Sequence, residues 1–105
     1  MRKDLNLITL KDLNREVAAR TGHSVKTVGL ITRATFDAIK DYLYDDIAVR
    51  VTKFGLFYNE ILKAGVMHLQ LQKQLTYLPK RLKPKFKFFT DFMMAVKRKK
   101  IDDTE

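Results

Sequence analysis

Lys80, Arg81, Lys83, Lys85 and Lys87 put five cations into eight residues with no acid among them, and Arg98, Lys99 and Lys100 follow as a second run. Ammonium and guanidinium groups donate to phosphate oxygens, and cations this dense repel one another unless something negative lies close. The two runs are therefore candidate contacts to a polyanion such as double-stranded DNA; the plainer reading is a solvated charged face. A second pattern is apolar. Met67, Leu69, Leu71, Leu75 and Tyr77 alternate with polar residues, Lys73 being the one break. Burying side chains of this size is worth roughly 1.5 to 3 kcal/mol each, so an exposed face of them is a candidate protein interface. Catalytic and metal-binding patterns are missing. His23 and His68 are the only histidines and stand far apart, while Asp41, Asp45 and Asp46 read as a solvated helix end. No nucleophile–base pattern, phosphate-cradling glycine loop or zinc motif occurs. No enzyme, cofactor, metal or small-molecule substrate is expected. Phe86, Phe88 and Phe89, interleaved with Lys85 and Lys87, have the composition of a base-stacking platform, though packing of a final helix explains them more simply.

The elements that must position these residues belong to a chain of 105 residues, enough for one domain with a modest core. With 21 Lys plus Arg against 12 Asp plus Glu, the formal charge is +9, which favours a polyanionic partner. From Lys73 to Lys100 the only acid is Asp91, so the positive field belongs to the C-terminal half. Without cysteine, disulfides and thiolate metal sites are excluded. No apolar run reaches signal-peptide or membrane-span length, and a soluble protein without membrane partners is expected.

Residues 1–8 read as an N-terminal extension. Thr9 and Asp12 have capping-box spacing, Leu10, Leu13, Val17 and Ala18 form a helical stripe, and Gly22 ends the first helix. Ser24 caps the second, in which Val28, Ile31, Thr32, Thr35, Phe36, Ile39 and Leu43 recur over five turns until Asp45-Asp46. Phe36, Ile39 and Leu43 are its candidate interface residues. As a DNA-reading helix-turn-helix the pair is unpersuasive, because the second helix has few Arg, Asn or Gln on a common outer face. Ile47 to Thr52 alternates as a strand, Lys53-Phe54-Gly55 turns it into the next, and the spacing from Phe89 to Val96 suits a short last helix. The turn of the long hairpin between is placed either at Lys63-Ala64-Gly65 or near Gln70.

Phe54-Gly55-Leu56-Phe57, Leu78-Pro79, Pro84-Lys85-Phe86 and Ala95-Val96-Lys97 resemble, at matching spacing from about Lys11 to Lys97, the motifs of the bacterial HU/IHF family of architectural DNA-binding proteins. The resemblance implies an α+β fold: an N-terminal αα-hairpin, a three-stranded antiparallel sheet with a long β-hairpin arm, and a short C-terminal helix. The domain would cover residues 9–97, with the arm at about 58–83 and a charged tail at 98–105. It further implies an intertwined dimer, arms laid along the DNA minor groove with a wedge between base steps, and a nucleoid-associated, cytoplasmic location.

The arm departs from that pattern. Where the family has arginines and an Arg-Asn-Pro tip, this chain has Leu62, Gly65 and His68-Leu69-Gln70, and Phe89-Thr90 replaces a Gly-Lys pair. The segment from Met67 to Tyr77 reads instead as one amphipathic strand of about a dozen residues. Two functions follow as expectations: a non-enzymatic, sequence-tolerant architectural DNA-binding protein, or the same fold recruited as a structural assembly subunit, for example of a phage virion, in which the apolar arm contacts a neighbour as a homo- or hetero-oligomer.

Overall fold

The structure, a computed structural model, describes residues 5–69 and 74–99. Its contacts divide the chain into two compact units, residues 1–40 and 41–105. In the first unit, α1 (Leu10–Thr21) begins at the expected capping box: the Asp12 N–H donates to Thr9 Oγ1 at 3.3 Å, and the Thr9 N–H donates to Asp12 Oδ2 at 3.2 Å. That backbone hydrogen bond from Thr9 holds the Asp12 carboxyl below its usual range. Gly22 closes the helix in the left-handed region, φ 76°, with its N–H on the Ala18 carbonyl at 2.9 Å. The start of α2 (Val25–Tyr44) is held by Ser24 Oγ, which accepts from the Thr27 N–H at 3.1 Å. Ala18 and Val28 are buried, and Thr32 Oγ1 donates to Asn14 Oδ1 at 2.8 Å, tying the two helices together.

The second unit starts with the end of α2. Asp46 takes φ 58° and the Ile47 N–H returns to the Tyr42 carbonyl at 2.9 Å. Ile47 therefore belongs to the helix exit, and the strand expected over 47–52 is shorter, β1 (Val49–Val51). Lys53, φ 63°, makes the turn into β2 (Gly55–Leu62). There follow β3 (Gly65–Leu69), β4 (Gln74–Leu78), β5 (Arg81–Phe88) and α3 (Thr90–Lys97). An antiparallel sheet of order β1-β2-β5 and a two-stranded ribbon β3-β4 result.

The ribbon continues the sheet in one register. Leu62 pairs with Arg81 and Gly65 with Leu78, so two residues are skipped on each strand, Lys63-Ala64 facing Pro79-Lys80. Pro79 has no N–H to give a ladder, which accounts for an interruption there. The turn at Lys63-Gly65 is thereby overturned: Gly65 is paired and has no positive φ. The chain reverses between Leu69 and Gln74, as the alternative near Gln70 has it; Gln70 to Lys73 lie outside the described residues. The single strand read from Met67 to Tyr77 is corrected with it, because the partner strand, fixed from Phe88 to Arg81, outweighs the local preference of a glycine.

One face of the sheet is aromatic. Phe57 and Phe86 lie 4.6 Å apart between ring centroids, Phe86 and Phe88 4.8 Å, Phe54 and Phe88 5.3 Å, and Phe92 of α3 reaches Phe88 at 5.2 Å. Gly55 is where this packing needs a glycine: a Cβ there would collide with the Phe86 ring and approach the Lys87 carbonyl oxygen to 2.6 Å. Burial stays incomplete. Among the described residues no large side chain is fully buried, and Ile31, Phe36, Phe92 and Val96 are 60, 46, 47 and 52% exposed. So much apolar surface left to water invites a partner surface.

Candidate nucleic-acid interface

Strand alternation decides which cations act together. Successive residues of a strand point to opposite faces, so Arg81, Lys83, Lys85 and Lys87 of β5 share one face, and Leu82, Pro84, Phe86 and Phe88 take the aromatic one. Antiparallel partners stand on the same face. The register therefore adds Leu56, Tyr58, Glu60 and Leu62 of β2 to the cationic side, opposite Lys87, Lys85, Lys83 and Arg81 respectively. Arg50, opposite Leu56, joins from β1. Cations two residues apart on a strand recur about every 6.6 Å, so the β5 row is about 20 Å long.

The row has internal structure. Lys87 Nζ lies 5.6 Å from the centroid of the Tyr58 ring, a cation–π distance. Lys85 Nζ donates to Glu60 Oε2 at 2.8 Å. That hydrogen bond holds the Glu60 carboxyl below its usual range and the Lys85 ammonium above its own. Arg81 sends Nη1 to the Pro79 carbonyl at 3.2 Å. Asn59, on the aromatic side, donates from Nδ2 to the Leu43 carbonyl at 2.7 Å and to Asp46 Oδ1 at 3.2 Å, fastening the end of α2 to β2.

Of the residues singled out from sequence, Arg81, Lys83, Lys85 and Lys87 are brought together. Lys80 sits exposed in the bend before β5. Arg98 and Lys99 belong to another element, the end of α3, where their N–H groups cap the helix on Met94 and Val96 carbonyls. Lys100 lies outside the described residues. Arg50 escaped attention because strand pairing, not spacing, puts it on the cationic side; the Val-Arg-Val alternation is the signal that marks it as facing away from its neighbours.

The apolar set is divided by the reversal. In register, Met67 and Leu69 pair with Thr76 and Gln74, whereas Leu75 and Tyr77 pair with His68 and Val66. Leu75, Tyr77 and Val66 are 72, 66 and 63% exposed. Leu71 lies outside the described residues. Phe36 is exposed and Ile39 and Leu43 are half-buried. Among the described residues no group of three His, Cys, Asp or Glu is placed to hold a metal ion, and no helix is long and apolar enough to cross a membrane.

Residues 8–97 match the family described as bacterial DNA-binding protein. Among solved structures the chain is similar to Anabaena HU in a cocrystal with DNA: 18% identity, 88% of this chain and 100% of that one covered, TM-score 0.77. It is also similar to a point mutant of HU from Thermotoga maritima, at 24% identity, 85 and 99% coverage and TM-score 0.63. No curated protein matches it. At such identities the likeness speaks for the fold, and it agrees with the α+β, HU/IHF-like architecture expected from the sequence.

Proposed function

The chain belongs to the bacterial DNA-binding protein family, of HU/IHF type, and from that premise we propose that it is a non-enzymatic architectural protein that holds duplex DNA by its phosphate backbone. The observation that carries this reading is the gathering of Arg50, Arg81, Lys83 and Lys87 on one face of the sheet, where Lys85 between them is paired with Glu60. Lysines and arginines spaced along a strand neutralise phosphates and read no bases, so binding tolerates any sequence. Lys80 and the Arg98-Lys99-Lys100 run extend the positive field. The cocrystal of the Anabaena relative with DNA supports the same partner. Half-exposed Phe36, Phe92 and Val96 favour a dimer or larger oligomer whose second copy covers them. A nucleoid-associated, cytoplasmic protein fits these properties.

The test is a duplex-binding titration over a salt series together with a measurement of particle size. Dimers whose log K falls with log salt, by a slope of about −0.9 per phosphate neutralised, are the expected result. Salt-independent or absent binding overturns it. A second reading rests on the ribbon: exposed Val66, Leu75 and Tyr77 favour an assembly subunit whose arm seats against a neighbouring protein. Larger assemblies with no affinity for DNA are its signature.

A further inference from the structure

The three strands of the sheet contain one acid, Glu60, and the register sets it on the cationic face, opposite Lys83 and bonded to Lys85. At a face meant for a polyanion, a carboxylate opposes the ligand and occupies a cation that would otherwise meet it. Nor does it serve the fold much: Glu60 and Lys85 are 42 and 41% exposed, and an ion pair so wetted adds little to stability. Its effect falls on the row of charges. With Lys85 closed on Glu60 Oε2, the β5 row has a gap between Lys83 and Lys87.

We infer that Glu60 is an attenuator of DNA affinity: by holding Lys85 it withholds one phosphate contact from the sheet and keeps binding weaker and less salt-dependent than the count of cations would give. Like any carboxyl at or below its usual range, Glu60 is ionised at neutral pH, so the ion pair is in force there. The inference rests on the DNA-binding reading above and adds to it the residue that sets binding strength. It also separates two kinds of cation on one strand. Lys83 and Lys87 are available to a phosphate, and Lys85 is available only when Glu60 lets go.

The experiment uses the full chain, a mixed-sequence duplex and a salt series, with wild type beside Glu60→Gln, Lys85→Gln and the exchanged pair Glu60→Lys with Lys85→Glu. In Glu60→Gln, freeing Lys85 should steepen the salt slope by about 0.9 and raise affinity roughly five- to tenfold at about 0.1 M salt. Lys85→Gln should keep the wild-type slope, because its ammonium is not spent on DNA. The exchanged pair, in which carboxylate and ammonium meet again at equal total charge, should fall back to wild-type affinity. Thermal melts of all four report that the sheet is intact. A Glu60→Gln protein with wild-type slope and affinity overturns the inference while leaving the DNA-binding reading in place, as does a Lys85→Gln protein that loses 0.9 of slope. Failure of wild type itself to bind duplex with any salt dependence overturns the broader reading, and the attenuator with it.

Discussion

The sheet β1-β2-β5 and the ribbon β3-β4 follow one register, yet they fill it differently. On the face that carries Arg81, Lys83, Lys85 and Lys87 in the sheet, the ribbon continues with Tyr77, Leu75 and Val66. Cations give way to apolar side chains across Pro79. The opposite face changes as well, from a close-packed phenylalanine cluster to Gly65, Thr76 and Leu78. Backbone geometry alone therefore does not tell what a β-arm binds. One ladder supports a surface suited to phosphate and another suited to protein, and the choice rests with the side chains at alternate positions.

Glycine substitutions should separate the two regions most sharply. At Gly55 a methyl group meets the Phe86 ring and the Lys87 carbonyl, so Gly55→Ala should destabilise the protein by about 1–3 kcal/mol or more, read from urea unfolding. Gly65 has open space around it and no positive φ, and Gly65→Ala should stay within about 0.5 kcal/mol of wild type. Equal losses at both would erase the distinction between a packed sheet and an open ribbon.

Binding should divide along the same line. If the cationic face holds phosphates as proposed, replacing Lys83 and Lys87 together by Gln should shrink the salt slope by about 1.8, weakening every duplex sequence alike. Leu75→Gln with Tyr77→Thr should leave that slope unchanged and reduce particle size if the ribbon joins protein copies. A ribbon variant that loses salt-dependent affinity would assign the arm to DNA and break the contrast.

The smallest effect is in pH. Between residues 64 and 79 there is no acid, whereas β2 carries Glu60. Its folded-state pKa is depressed, chiefly by the hydrogen bond from Lys85. The stabilisation it contributes is present above the carboxyl's unfolded pKa and is lost as pH falls through the folded one. Acidification below the usual carboxylate range should therefore loosen the sheet slightly in wild type, and Glu60→Gln should remove that part of the pH dependence in equilibrium unfolding. The ribbon has no carboxylate to contribute to it.

What could be read from the sequence was what is decided locally. Thr9 with Asp12, Gly22, and Ser24 with Thr27 are contacts within four residues, and each sits where spacing put it. Phe54-Gly55-Leu56-Phe57 was legible through family likeness, and its physical reason, the room a Cβ lacks beside Phe86, emerged only once β5 was in place. The hairpin turn was ambiguous for the converse reason. Gly65 advertises a turn that local chemistry would accept, but pairing with Leu78 keeps it extended. Arg50 and Glu60 are hard to recognise in the sequence because the β5 cations that share their face, Lys83 to Lys87, are more than twenty residues away along the chain, joined through β1–β2 and β2–β5 pairing. Alternation predicts two faces for a strand. It does not predict which face of another strand they will meet.

The interruption at Lys63-Ala64 and Pro79-Lys80 skips equal numbers of residues on both strands, and this imposes a parity rule on the arm's history. Deleting one residue from each strand at that level would shift the ribbon's alternation by half a period and exchange its two surfaces, whereas a deletion in one strand alone would break the shared register. Lengthening each strand by two residues preserves every facing. An engineer who wishes to graft a foreign hairpin onto this sheet should cut at Ala64 and Pro79 and add or remove residues two at a time on each strand.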